Sequence, residues 1–233
     1  MSAALQIIKE RSSTPEPSLT ERLPPALARF GRLCFAHRLE IGLGVTAATA
    51  PFVRPTLATK PSELGLKAAG LSLLLTGMGV RVWASGFAGR HTRSTNIEGS
   101  KLATSGAYAH VRNPIYLGSI ILGVGMVLLI GDRRLLAPCG LTFLALYFGL
   151  IPAEEEFLSQ KFGAAYEVYC RNVPRLLPRL KAWPQAGAVK TPFDWRAASG
   201  EWRLSLILTA ILAGFRIFAV LRGAGRRDKE SKG

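Results

Sequence analysis

A chain of 233 residues that is 48% hydrophobic, with a mean hydropathy of +0.22 and its apolar residues gathered in blocks, falls outside the disordered and highly charged classes. A net charge of +15 would point to nucleic acid in a soluble protein, but no zinc-ligand spacing, RNA-binding motif or soluble basic domain accompanies it. The composition predicts an all-α, polytopic helical membrane protein with four or five membrane helices, in contact with the lipid bilayer and not with nucleic acid.

Up to about Ala28 the sequence is polar, with Pro15, Pro17, Pro24 and Pro25, which predicts a flexible N-terminus. No early basic region precedes an apolar core and cleavage site, so no signal peptide is expected. Ile41 to Val53 is a short apolar stretch ending beside Pro51 and Arg54, open to reading as a span or as an interfacial or re-entrant helix. Ala68 to Val80 is uncharged and reaches span length when Leu64 and the residues through Gly86 are included, with Lys67 and Arg81 expected to snorkel. The loop from Arg90 to Arg112 carries Arg90, Arg93, Lys101 and Arg112 against Glu98, which the positive-inside rule places in the cytoplasm.

The run Gly106-Ala107-Tyr108-Ala109-His110-Val111-Arg112-Asn113-Pro114-Ile115-Tyr116-Leu117-Gly118 feeds polar and aromatic groups into an 18-residue uncharged stretch, Pro114 to Gly131. As a helix that stretch rises roughly 27 Å, close to the roughly 30 Å hydrocarbon core of a bilayer. Asn113 is predicted as its N-cap and Pro114 as N1, where a missing N–H leaves nothing unsatisfied. Arg112 beside the positive end of the helix dipole makes a pocket for an anion, or else an interfacial cap with a snorkelling arginine. The turn Asp132-Arg133-Arg134 leads into Leu135 to Ala153, 19 residues without a charge, so a helical hairpin is predicted. Gly123-Val124-Gly125 is read as allowing close helix packing.

Beyond the hairpin come Pro152-Ala153-Glu154-Glu155-Glu156-Phe157-Leu158 and Phe162-Gly163-Ala164-Ala165-Tyr166-Glu167-Val168-Tyr169. In one reading Pro152 begins a new helix, the glutamates complement its dipole, and Phe157, Leu158, Phe162, Tyr166 and Tyr169 form a buried stripe. In the other, the hairpin returns the carboxylates to the surface that holds Arg112 and Asn113. A zwitterionic ligand with an ammonium, a carboxylate and an aromatic base then finds partners in the glutamates, Arg112 and the tyrosines, and S-adenosylmethionine fits that description. Lys161, Arg171, Arg175, Arg179 and Lys181 place this segment too in the cytoplasm.

Cys34, Cys139 and Cys170 are far apart and the chain has three histidines, so neither a disulfide framework nor a metal site is expected. Leu204 to Phe215 is interrupted by Arg216 before Ile217 to Leu221. A true span there would carry Arg226, Arg227, Lys229 and Lys232 to the side opposite the other basic segments, so an interfacial or re-entrant helix is expected, with Trp195 and Trp202 at headgroup level. The predicted organisation is a polar N-terminus over 1–28, a membrane domain over 29–181, an interfacial linker and final apolar helix over 182–222, and a basic tail over 223–233.

Over roughly Val80 to Pro178 the chain resembles the isoprenylcysteine carboxyl methyltransferase-like integral membrane methyltransferases, which are related to phospholipid N-methyltransferases. The matching elements, in order, are Gly106-Ala107-Tyr108, Arg112-Asn113-Pro114-Ile115-Tyr116-Leu117-Gly118, the hairpin, Glu154-Glu155-Glu156-Phe157-Leu158, Phe162-Gly163-Ala164-Ala165-Tyr166-Glu167-Val168-Tyr169 and Val173-Pro174-Arg175-Leu176-Leu177-Pro178. The resemblance implies S-adenosyl-L-methionine held at the cytoplasmic end of the helices by Arg112, Asn113, Tyr116, Gly118, Glu154, Glu155 and Tyr166, with Arg112 and Arg175 as catalytic candidates. Arg175 would orient an anionic acceptor or the cofactor carboxylate. The main departure is Asn113 where the family pattern has histidine: an amide hydrogen-bonds but does not titrate near neutrality. His110, three residues earlier, is read as a solvated loop residue.

The expected reaction is methyl transfer to an amphipathic, lipid-like or isoprenoid-linked acceptor, with carboxylate O-methylation favoured and no metal required. Two rivals stand beside it: a membrane reductase of related fold using NADPH, and a non-catalytic membrane scaffold. The oligomeric state is unspecified by the sequence.

Overall fold

A computed structural model describes residues 24, 29–31, 33–34, 37–53, 61–89, 102–184 and 192–230, with side chains described only up to residue 220 in the last segment. The polar N-terminus apart from Pro24, Arg54, the whole stretch from Arg90 to Lys101, and the side chains of the basic tail lie outside the described residues. Among the described residues every regular element is helical. We name α1 Arg38–Thr49, α2 Pro61–Ala88, α3 Pro114–Ile130, α4 Leu136–Phe162, α5 Ala164–Asn172, α6 Trp195–Ser199 and α7 Trp202–Glu230. Helices α2 and α4, of 28 and 27 residues, are long and apolar enough to cross a membrane, and α3 is a shorter apolar helix.

Helices α2 and α3 meet at glycines one heptad apart. A β-carbon on Gly77 would lie 2.6 Å from the Gly118 carbonyl oxygen, and one on Gly125 would lie 2.7 Å from that of Gly70. Small residues let two apolar helices reach backbone contact, where dispersion replaces the hydrophobic drive that lipid removes. The predicted glycine packing is present at Gly125, while Gly123 instead receives the Phe143 ring of α4. Helix α3 closes with Gly131 in the left-handed region at φ 81°, which lets its N–H reach Val127 O as the chain turns into α4.

Lys67 does not snorkel: its Nζ donates to Leu129 O at 2.6 Å, satisfying a carbonyl in the last turn of α3 at the negative end of that helix's dipole. Arg81 does not snorkel either, being tied to Glu201 and Ser119.

Two further expectations change. Pro152 does not begin a helix: Leu146–Leu150 form a π turn and the helix runs on, so the carboxylates sit within a continuous rod and not at a free N-terminus. A π turn re-registers backbone hydrogen bonds around the N–H that proline lacks. Arg216 does not interrupt the last apolar stretch, which is part of one 29-residue helix. Leu204, Leu208, Ile211, Leu212 and Phe215 of α7 pack in the same cluster as Leu122, Met126, Val127 and Ile130 of α3. With Glu201 holding Arg81, which reaches Ser119 near the start of α3, and Arg216 within electrostatic reach of Lys67 near its end, α7 runs alongside α3 in the same direction. Trp195 in α6 and Trp202 at the start of α7 are exposed.

Candidate functional site

The chain before α3 is held against the chain after α5. Arg112 N donates to Pro174 O at 2.8 Å, Arg179 N to His110 O at 3.0 Å, and Trp183 N to Ala109 O at 2.9 Å. Tyr169 Oη donates to Tyr108 O at 2.8 Å, and Tyr166, Tyr169, Val173 and Trp183 bury around Ala109 with Leu158 and Phe162 packed on them. The predicted aromatic stripe, except for Phe157, which packs beside Lys161, thus glues α4 and α5 to the motif loop. His110 belongs to this clamp and is not a solvated residue: its Nδ1 lies 2.9 Å from Arg179 O and its ring packs on Trp83 at 5.8 Å.

The clamp brings four sequence-predicted residues together. The Glu155 carboxylate, 6% exposed, receives Arg175 Nη2 at 2.6 Å and Nε at 2.9 Å, Asn113 Nδ2 at 3.1 Å, and Arg112 Nη1 at 3.4 Å. Asn113 occupies the N-cap position with Pro114 behind it, but its side chain makes no cap bond. A buried carboxylate left short of donors is expensive, and the Asn113 amide is taken up by it and by Arg175 O at 3.1 Å.

Arg112 Nη1 also donates to Cys170 Sγ at 2.8 Å, a contact the sequence reading missed because nothing in the spacing of the cysteines announces it. Burial pushes the Cys170 thiol up, with Arg112 pulling against it, so it stays a thiol at neutral pH. Burial likewise raises the phenols of Tyr166 and Tyr169, with Glu155 adding to the first and Tyr108 to the second. The Nε of Arg112 is buried without a hydrogen-bond partner among the described residues.

A cavity of about 530 Å³ opens beside these groups. Its polar wall is Tyr108, Arg112, Asn113, Tyr116 and Glu154, with Tyr116 Oη donating to Glu154 Oε2 at 2.7 Å. Burial and the nearby Glu154 keep the Tyr108 phenol protonated. The lining then passes Arg81 and Ser119 to Ile41, Val45, Leu122, Leu141 and Leu204. From Glu154 to Leu141 along α4 this is roughly 20 Å of helix at about 1.5 Å per residue. Of the remaining sequence-predicted residues, Glu155 and Arg175 stand behind the polar wall, Tyr166 is enclosed in the aromatic core, and Gly118 sits in the α2–α3 seam. Among the described residues no group of three or more His, Cys, Asp or Glu is placed to hold a metal ion.

Sequence comparison bears on what this wall is. The phospholipid methyltransferase family model matches residues 66–165. The protein-S-isoprenylcysteine O-methyltransferase of Schizosaccharomyces pombe is 35% identical over 77 residues, 33% of this chain and 33% of that protein. Over these residues the chain is similar to phospholipid and isoprenylcysteine methyltransferases. The Delta(14)-sterol reductase of Mus musculus is 29% identical over 143 residues, 51% of this chain and 32% of that protein. The cobalt-zinc-cadmium resistance protein of Cupriavidus metallidurans is 28% identical over 161 residues, 68% of this chain and 69% of that protein. The chain therefore spans about a third of the first two of these relatives. No solved structure matches it significantly. The methyltransferase-family segment runs from α2 into α5 and includes Arg81, Arg112, Asn113, Tyr116, Glu154 and Glu155, whereas Arg175 and Glu201 lie beyond it.

Proposed function

We propose that the protein is an S-adenosylmethionine-dependent methyltransferase of the membrane that acts on a lipid-like or isoprenoid-linked acceptor, with carboxylate O-methylation favoured. The observation that carries this reading is one cavity whose wall changes from Arg112, Asn113, Tyr116 and Glu154 to aliphatic side chains. An amphipathic acceptor can lie along such a wall with its reactive head at the polar end.

The residues present fit the cofactor. The unpartnered, buried Nε of Arg112 is a donor that an anionic group such as a carboxylate satisfies, and a buried donor without a partner calls for one. Glu154 offers a carboxylate to an ammonium, and the faces of Tyr108 and Tyr116 attract a cationic sulfonium. When bound, S-adenosylmethionine supplies an activated methyl group that passes to an acceptor lone pair while the carbon–sulfur electrons return to sulfur.

The protein's part is to align donor and acceptor and keep water out, which in favourable cases lowers a barrier by about 7 to 11 kcal/mol. Glu155, Arg175 and Asn113 serve this by fixing Arg112. Six charges in and behind the cavity wall, Arg81, Arg112 and Arg175 against Glu154, Glu155 and Glu201, sum to zero. A cationic donor and an anionic acceptor then enter together without net charge. An amine acceptor must instead lose its proton, for which Glu154 is the base within the wall.

The basic residues flanking both halves of the site support a cytoplasmic orientation. The span count in this reading is four, with α2, α3, α4 and α7 crossing and α1 beside them. The test is to supply methyl-labelled S-adenosylmethionine to membranes containing the protein and identify the labelled product. Labelled lipid or prenyl-cysteine ester is expected, and no label above empty membranes would overturn the reading. The match to a sterol reductase gives a second reading, a nicotinamide-dependent reductase, and equilibrium binding of S-adenosylmethionine against NADPH separates the two. Binding of neither would favour a scaffold.

A further inference from the structure

A second polar network stands beside the Glu155 cluster and is built from residues far apart in sequence. Arg81 in the apolar helix α2 pairs with Glu201, just before α7: Nη2 and Nε reach Glu201 Oε2 at 2.9 and 3.0 Å. Ser85 Oγ donates to the other carboxylate oxygen at 2.6 Å, and Arg81 Nη1 donates to Ser119 Oγ at 2.5 Å and to Ile115 O at 3.4 Å. The two charged side chains are 16% and 6% exposed.

A buried ion pair is weak as a source of stability, because desolvation offsets much of its attraction. Ionisable residues within membrane helices are rare and usually mark a functional path. Here the location gives the function. Arg81 and Ser119 line the cavity where polar wall gives way to aliphatic wall, whereas Glu201 stands behind Arg81 and outside the lining.

We propose that Glu201 is a positioning residue which, with Ser119, holds the Arg81 guanidinium at the boundary between the polar and apolar parts of the cavity and so sets the affinity for the acceptor. This rests on the methyltransferase reading and extends it, since Glu201 lies beyond the matched family segment. The final helix thereby becomes part of the acceptor site. An acceptor with an apolar tail must hold its head next to Arg81, while the donor contacts at Arg112 and Glu154 lie toward the other end. Glu201 acts on one substrate only.

The experiment uses the full-length protein in detergent, with S-farnesylcysteine and a total-lipid extract of the expression host as acceptor probes. Glu201→Gln keeps the size of the side chain and removes its charge. It is expected to raise acceptor KM about tenfold, the equivalent of about 1.4 kcal/mol, with the Kd for S-adenosylmethionine changed less than about twofold. Glu201→Asp should recover most of the loss by restoring the charge. Ser119→Ala, which removes the second anchor and introduces no charge, should move acceptor KM in the same direction, and it serves if Glu201→Gln fails to insert. An unchanged acceptor KM in inserted Glu201→Gln, or a Kd for the donor that rises as much as acceptor KM, would overturn the assignment. Failure of the wild type itself to bind donor or transfer methyl strikes the methyltransferase reading instead.

Discussion

Two arginine–glutamate networks border the same cavity and differ in how they are assembled. The Glu155 network draws on residues at 112, 113, 155 and 175, all inside or bordering the motif loop and the α4–α5 elbow. The Arg81–Glu201 network joins positions 120 residues apart, from the middle of one apolar helix and the entrance to another. The first is a junction of several donors on one carboxylate and supports both the clamp and the cavity wall. The second holds one arginine on its carboxylate, steadied by Ser85 and Ser119, and faces the cavity on one side. A many-donor junction should fail as a fold when broken, and an arginine held at the cavity face should fail as a binding determinant.

The largest effect is expected from Glu155→Gln. The substitution leaves the guanidiniums of Arg112 and Arg175 without their shared anion, and breaking a buried pair typically costs roughly 3 to 5 kcal/mol. The lower end applies, because the Arg175 side chain is 40% exposed and partly screened by water. The unfolding midpoint in detergent should drop clearly below that of Glu201→Gln. Equal midpoints for the two variants would erase the distinction between the networks.

Arg112→Ala comes next, read in turnover and not in folding. Glu155 keeps Arg175 and Asn113 in this variant, so membrane insertion should persist. Labelled methyl transfer per mole of inserted protein should fall at least about a hundredfold, since a bidentate cationic donor and the buried Nε are both lost. Near-normal transfer would remove Arg112 from the site.

Much of this arrangement was legible in the sequence, and the limits are physical. The hairpin, the approach of Arg112 to the glutamates and the aromatic stripe follow from apolar run lengths and a 3.6-residue period, which report local geometry. Neither signal reports which partner a side chain selects. Asn113 was read as a cap because an N-cap asparagine normally serves its own helix, yet a buried carboxylate 42 positions away holds its amide. Arg81 was read as snorkelling, although a charge within an apolar span is itself a signal of function. Its partner cannot be read from the sequence, because neither run length nor period links it to Glu201, 120 positions away. The joint between α4 and the glutamates was also hidden: Pro152 reads as a helix start, and only a π turn upstream lets the rod continue.

Glu154→Gln separates the wall from the network behind it. Glu154 lines the cavity with Tyr116, so neutralising it should weaken S-adenosylmethionine binding by roughly 1.5 to 3 kcal/mol, about ten- to more than a hundredfold, with little change in the unfolding midpoint. Glu156→Gln is the matched control. Among the described residues its carboxylate meets Gln160 at an exposed 3.4 Å contact, and such pairs on a helix surface contribute about 0.2 to 0.5 kcal/mol. Calorimetric titrations giving equal losses for both variants would assign the glutamates to electrostatics of the helix as a whole.

Asn113→His should have the smallest effect and tests how far the polar wall tolerates the family's residue. Asn113 Nδ2 donates to Glu155 and to Arg175 O, so what the position requires is a donor directed at a buried carboxylate. An imidazole N–H supplies that donor whether the ring is neutral or protonated, and the second nitrogen faces the cavity that Asn113 already lines. Methyl transfer within about threefold of wild type is therefore expected, whereas Asn113→Leu, which removes the donor at similar size, should lose about 1 to 3 kcal/mol of stability. If histidine proves as damaging as leucine, volume and not donor chemistry governs the position. The exchange would then mark a repacking of this wall relative to the family.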